Sequence, residues 1–124
     1  MHAKSAIDWK ALDRHWNCRL TVRGRKTGQP RSVTIWYAVR GETLLLTGGP
    51  DGPQWCRNLR TNPDVEVRIG GQQLRGRARV VEDPADADAI RACFRSRYVL
   101  ARLSRLFGGY TRSVPVVVED LAPI

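Results

Sequence analysis

From Arg19 to Arg40 the chain contains no acid, and four cations, Arg23, Arg25, Lys26 and Arg31, crowd around Gly24, Gly28 and Pro30. Glycine and proline at this density make the chain turn. Like charges held this close repel one another, so a compact turn of them is easier to hold with an anion present. The chemistry these residue types suit is recognition of an anion, phosphate above all, at the mouth of a β-structure. A solvated basic turn fits the same spacing, and spacing alone leaves both readings open.

Little else offers reactive groups at useful intervals. Cys18, Cys56 and Cys93 lie far apart and form no Cys-x-x-Cys pair, which argues against a disulfide framework and against zinc. They read as reduced, packed thiols. His2 and His15 are too few for a histidine metal site or a Ser-His-Asp relay, and no metal is expected. Neither Gly-x-Gly-x-x-Gly after a strand nor Gly-x-x-x-x-Gly-Lys-(Ser/Thr) occurs, so the Rossmann and P-loop readings are poor. The formal net charge of +9 favours an anionic partner: nucleic acid, an anionic membrane surface or an anionic cofactor.

The elements that must position the basic turn can be read from pattern. With 124 residues, 42% hydrophobic and 27% charged, the expectation is one soluble domain over 1–124. No apolar run approaches the ~20 residues that cross a bilayer. The opening residues lack the apolar core of a signal peptide, so the expected location is the cytoplasm. Residues 5–16 are predicted as a helix with Ser5 as N-cap, placing Trp9, Leu12 and Trp16 on one face. Residues 20–22 and 33–37 are β-prone and flank the basic turn. A third strand is expected over 43–47, then a Gly/Pro-rich loop over 48–53 and a short helix over 54–60. Pro63 ends that helix. Val65, Val67 and Ile69 alternate with polar residues, and Gly70-Gly71 is a hairpin turn. A fifth strand follows to Val80, with Arg75, Arg77 and Arg79 on one face. Asp83 caps a second helix with Pro84 at its first position. Its apolar stripe is Ile90, Phe94, Tyr98 and Ala101, prolonged by Leu103, Leu106 and Phe107. Gly108-Gly109 stops it. Val114 to Val118 is the last strand, and Pro115 within it predicts an edge or a bulge. Hairpin-linked, alternating strands favour an antiparallel barrel over a doubly wound sheet. The fold class is mainly β with helices (α+β), with an N-terminal helix and one long helix before the last strand.

Four blocks, in consistent order over roughly residues 19–118, carry a resemblance. Gly24-Arg25-Lys26-Thr27-Gly28-Gln29-Pro30-Arg31 resembles the Gly-Arg-Lys-(Ser/Thr)-Gly-x-Pro-Arg segment of the deazaflavin-dependent nitroreductase family, split β-barrel proteins related to the FMN-binding reductases. Gly48-Gly49 followed by Gln54-Trp55-Cys56-Arg57-Asn58-Leu59-Arg60-Thr61-Asn62-Pro63 resembles that family's Gly-Gly…Trp-x-x-Asn-Leu-x-x-Asn-Pro. The run from Val65 to Gly71 resembles the strand that follows. Tyr110-Thr111-Arg112-Ser113-Val114-Pro115-Val116-Val117 resembles its C-terminal Thr-x-Arg-x-(Ile/Val)-Pro-Val-Val.

The resemblance implies an antiparallel split β-barrel and a hydride transfer between coenzyme F420, a deazaflavin, and a small acceptor such as a quinone, enone or nitro compound. F420 carries a phosphodiester and a polyglutamate tail, which Arg25, Lys26 and Arg31 would hold. Ser32, Val33, Thr34 and Ile35 would offer backbone N–H groups to the ring. Gly48 and Gly49 would allow close approach, Trp55 would pack beside the coenzyme and Asn58 would hydrogen-bond it. Tyr98 and Tyr110 are the nearest matches to the family's tyrosine proton donors, whose closer cluster is absent here. Thr47 stands where the family often has lysine. FMN is the alternative cofactor, since one phosphate also suits the three cations. A non-catalytic basic barrel binding nucleic acid or an apolar ligand is the alternative of another class. A small-molecule substrate and a homodimer are expected.

Overall fold

The computed structural model describes residues 7–48, 54–97 and 114–124. In chain order the elements are α1 (Trp9–Leu12), β1 (Asn17–Arg23), β2 (Pro30–Arg40), β3 (Thr43–Gly48), α2 (Gln54–Thr61), β4 (Asp64–Ile69), β5 (Gln72–Val80), α3 (Pro84–Arg97) and β6 (Val114–Pro123). The six strands close an antiparallel barrel in the order β1-β2-β3-β6-β5-β4. Closure removes exposed sheet edges, and alternation along each strand sends apolar side chains inward. Cys18, Leu20 and Val22 point in from β1, Val65, Val67 and Ile69 from β4, and Leu74 and Ala78 from β5. Trp55, Cys56 and Leu59 of α2 join this core.

β3 explains its own unbroken Leu44-Leu45-Leu46 run. Leu44 and Leu46 face the barrel interior, whereas Leu45 joins Ala38 and Val117 on the outer wall. There α3 covers them with Ala87, Ile90 and Phe94. A strand buried on both faces needs no polar residue. The start of α3 is as expected: Asp83 Oδ2 accepts the Asp86 N–H at 2.9 Å. Tyr98, Ala101 and the apolar residues after them lie outside the described residues, as do Ser5, Gly49 and Tyr110.

Two elements differ from the sequence expectation. The first helix is one turn, not twelve residues, and Asp8 caps it by accepting the Ala11 N–H at 3.1 Å. The carbonyls that would carry it onward have other donors. Tyr37 Oη donates to the Leu12 carbonyl, and Arg97 Nη2 donates to the carbonyls of Asp13 and His15. Trp16 therefore leaves the helical stripe and is 63% exposed, with the Arg97 guanidinium 5.7 Å from its ring centroid. The second difference is β6, which lies between β3 and β5 and is not an edge. Pro115 is its second residue, where a missing N–H is tolerated. The irregularity comes later, where register slips between Arg75 and Arg77 and Asp120 takes φ 55°. Among the described residues, no helix is long and apolar enough to cross a membrane.

Gly76 sits at that slip because nothing larger fits. A Cβ there would meet Val118 Cγ1 at 2.7 Å, Leu121 Cδ2 at 2.9 Å and the Glu119 carbonyl oxygen at 3.0 Å. Gly76→Ala is expected to cost roughly 1–3 kcal/mol through overpacking. The reading is a lower urea midpoint at unchanged slope, and an unmoved midpoint would contradict it. Burial pushes the Cys18 and Cys56 thiols up to about 12, the Arg60 charge offsetting a little of this at Cys56. Thiolate is the reactive form, so a chromogenic disulfide reagent at about pH 8 is expected to label Cys93 in the native protein. Cys18 and Cys56 should react only after denaturation. Fast labelling of all three in the native state would contradict the packing.

Candidate functional site

The basic turn joins β1 to β2 and is closed by its own backbone. The Gly24 N–H donates to the Gln29 carbonyl at 2.9 Å, and the Gly28 N–H donates to the Gly24 carbonyl at 2.8 Å. Gly28 takes φ 71°, a conformation that side chains with a Cβ rarely adopt. Thr27 Oγ1 accepts the Gln29 N–H at 3.2 Å, and Arg23 Nη1 reaches the Gly28 carbonyl at 3.1 Å. Gly24 is buried, so the turn is seated on the barrel.

α2 holds it there. Gln54, Asn58 and Asn62 recur every four residues and so lie along one side of the helix and its exit. Asn58 is 4% exposed, and its Oδ1 accepts both the backbone N–H of Arg25 at 3.1 Å and Arg25 Nη1 at 2.9 Å. Gln54 Oε1 accepts the same Nη1 at 2.8 Å. Asn62 Nδ2 lies 3.4 Å from the Gly24 carbonyl, a long hydrogen bond. The turn, Arg31 and the two amides Gln54 and Asn58 enclose a cleft of about 350 Å³. Among the described residues its lining includes Arg25, Lys26 and Arg31 and no carboxylate.

A second cleft, about 370 Å³, lies on the outer wall of the barrel between β1, β4 and β5. Arg23, Arg75 and Arg77 line it, but so do Asp64, Glu66 and Asp120. Arg77 Nε lies 3.7 Å from Asp64, and Arg79 Nε lies 2.8 Å from Glu119. The arginine face of the fifth strand is thus met by acids. Volume does not separate the two clefts; charge does.

Beside the acid-free cleft the sheet opens. β2 pairs with β1 from Pro30 to Trp36 and with β3 only from Tyr37 to Arg40. Along a strand, backbone groups point alternately to either side. Over residues 31–36 the side of β2 away from β1 therefore meets no strand among the described residues. Ser32, Val33, Thr34 and Ile35 all fall on this half. Val33 and Ile35 are half-buried against the core, Thr34 is exposed, and Ser32 Oγ shares a 2.9 Å hydrogen bond with Thr21 Oγ1.

Of the expected site residues, the structure gathers Arg25, Lys26, Arg31 and Asn58 around one cleft. Trp55 is 7% exposed and packs in the barrel core. Gly48 is buried at the end of β3, opposite Val114. Gly49, Tyr98 and Tyr110 lie outside the described residues. Gln54 is the residue the sequence reading did not single out; its signal was the four-residue spacing to Asn58. Among the described residues, no group of three or more His, Cys, Asp or Glu is placed to hold a metal.

Comparison with known proteins bears on family and fold. Residues 9–120 match the model of a family described as F420H(2)-dependent quinone reductase. An F420H(2)-dependent quinone reductase of Mycobacterium tuberculosis is 38% identical over 76 residues, covering 58% of this chain and 50% of the relative. The chain spans about half the length of the curated relatives it matches. A solved F420-H2 dependent reductase superposes with TM-score 0.66 at 23% identity, over 83% of this chain and 93% of that one. An FAD-binding protein of Mesorhizobium loti gives 0.67 at 21% identity, over 92% and 88%. These two likenesses show the split-barrel fold. The family match covers nearly the whole chain, barrel and basic turn together, and the chain belongs to the F420H(2)-dependent quinone reductase family.

Proposed function

We propose that the chain uses reduced coenzyme F420 to reduce a quinone, with the acid-free cleft holding the coenzyme's anionic tail. The observation that carries this reading is the donor set of that cleft: Arg25, Lys26 and Arg31 line it, with no carboxylate among its described residues. Such a set suits a ligand bearing a phosphodiester and several carboxylates, and it suits a neutral ligand poorly. The bound coenzyme supplies a hydride. The remaining work falls to this chain. Backbone N–H groups on the open half of β2, from Ser32 to Ile35, would orient the ring, and Gly48 would let it lie close to the end of β3. Trp55 would stiffen the floor from beneath, and Asn58 would act through Arg25. Beyond the hydride, reduction of a quinone to a hydroquinone takes up one proton, and Tyr98 or Tyr110 is the proposed donor. Enones and nitro compounds are further acceptors of the same chemistry. A cytoplasmic homodimer is the proposed setting, the dimer resting on the split-barrel architecture.

The test is a fluorescence titration of the purified protein with oxidised F420, FMN and single-stranded DNA at low and high salt. Saturable quenching of F420 at physiological salt is expected. Arg25→Ala with Lys26→Ala should weaken that binding on the order of 100-fold, because two charge-assisted contacts are lost, and leave the circular dichroism unchanged. Quinone reduction with reduced F420 should fall in step. Saturation by FMN alone would move the site to a flavin. Binding to DNA alone, with a steep loss in salt, would overturn the enzyme reading.

A further inference from the structure

We infer that Arg25 is a one-edged clamp: Gln54 and Asn58 tie up its Nη1, and its Nε–Nη2 edge is left to grip two oxygens of a single anionic group. The inference rests on the coenzyme reading of the cleft and deepens it. Nη1 carries two hydrogens, and it has two acceptors, Gln54 Oε1 at 2.8 Å and Asn58 Oδ1 at 2.9 Å. Both hydrogens are therefore occupied by the protein itself. The same Asn58 oxygen takes the backbone N–H of Arg25 at 3.1 Å. One buried atom thus fixes the side chain at its root and at its tip, and the sweep of a long, flexible arginine is removed before any ligand arrives.

What remains is the edge formed by Nε–H and one Nη2–H. These two donors are parallel and spaced to match the oxygen pair of a phosphodiester or a carboxylate. The ion pairs of the described residues engage Arg40, Arg60, Arg77, Arg79, Arg91 and Arg97, and none involves Arg25. Both anchors are neutral amides, so the guanidinium keeps its full charge toward the cleft. A carboxylate in either position would hold it as firmly and cancel that charge. Gln54 and Asn58 are therefore positioning residues, and Arg25 is the group that touches the anion. The ligand class is an anion with two equivalent oxygens in one plane, supplied either by the phosphodiester or by a tail carboxylate.

Four variants test this: Arg25→Ala, Arg25→Lys, Gln54→Met and, as a control, Arg14→Lys. Arg25→Lys keeps the charge and loses the fork, and it is expected to weaken F420 binding about tenfold, nearly as much as Arg25→Ala. Arg14→Lys, at an exposed position before β1, should bind as the parent does. Gln54→Met, at an exposed position, should weaken binding about threefold with an unchanged thermal midpoint, because the clamp loosens while the fold does not. In nitrogen-15 spectra the Arg25 Nε–H resonance, assigned by its loss in Arg25→Lys, should move downfield and exchange more slowly on adding F420. Repeating the Arg25→Lys titration with deazaflavin lacking the glutamate tail identifies the oxygens. An undiminished penalty assigns the phosphodiester, and a vanished one assigns the tail. If Arg25→Ala weakens binding and Arg25→Lys restores it fully, the clamp is wrong and the coenzyme site stands. If neither variant changes F420 affinity, the site itself is wrong and the clamp falls with it.

Discussion

Strand β2 has two neighbours and never both at once. Its first half is bonded to β1 and its second half to β3, the exchange falling between Trp36 and Tyr37. A strand of eleven residues is long enough to serve two partners end to end, and the barrel still closes through β6. The consequence is a row of backbone donors and acceptors on the first half that β3 does not reach. A buried strand cannot leave such groups unmet, but one at a barrel mouth can offer them to a ligand. The basic turn sits at the start of this half, with Arg31 as the second residue of β2 lining the cleft. The fold thus places the open half of β2 and the cations of the turn on one continuous piece of chain.

Holding a turn of cations in place is an electrostatic problem with two solutions. Two unit charges about 4 Å apart in an environment of effective dielectric near 20 repel by about 4 kcal/mol. Acids relieve this, and on the outer wall they do: Asp64 faces Arg77 and Glu119 faces Arg79. Around the turn the relief comes from dipoles instead, the amide oxygens of Gln54 and Asn58. Amides stabilise a guanidinium geometrically while leaving its field intact. The difference between the two clefts is then a difference in what is left over. One is internally neutralised, and the other keeps a positive potential that no acid among the described residues of its lining offsets.

Much of this was legible in the sequence, and the failures have physical causes. The alternation of Val65, Val67 and Ile69, the Gly70-Gly71 turn and the Asp83-Pro84 cap depend on near neighbours, and each appears as expected. The first helix failed because its continuation was decided by Tyr37 and Arg97, distant in sequence and invisible to a local pattern. Pro115 misled because barrel closure, a global property, leaves no edge for it to occupy. The site divides the same way. The cations of the turn were plain from their crowding around two glycines. The attachment of Asn58 to Arg25 joins residues thirty-three apart, so it was invisible to a local reading. Only the pairing of the turn with α2 shows that this amide faces an arginine.

Arg25 and Arg97 show two ways of tethering an arginine in a chain with so many. The Arg97 guanidinium gives Nη1 to the Asp13 carboxylate at 2.7 Å and Nη2 to two backbone carbonyls, and it lies over the rings of Trp16 and Tyr37. Its charge is paired, three of its five hydrogens are engaged by these groups, and two aromatic rings lie against it. It fastens the segment after α1 to the end of α3 and has nothing to offer a ligand. Arg25 is tethered as firmly, but by neutral groups and on one nitrogen. Rigidity without neutralisation is what anion recognition requires, because a free arginine must be ordered on binding and a paired one must first be unpaired. Net charge counts both residues alike. The arrangement of their partners separates them, and it leaves the uncompensated charge at the turn between β1 and β2.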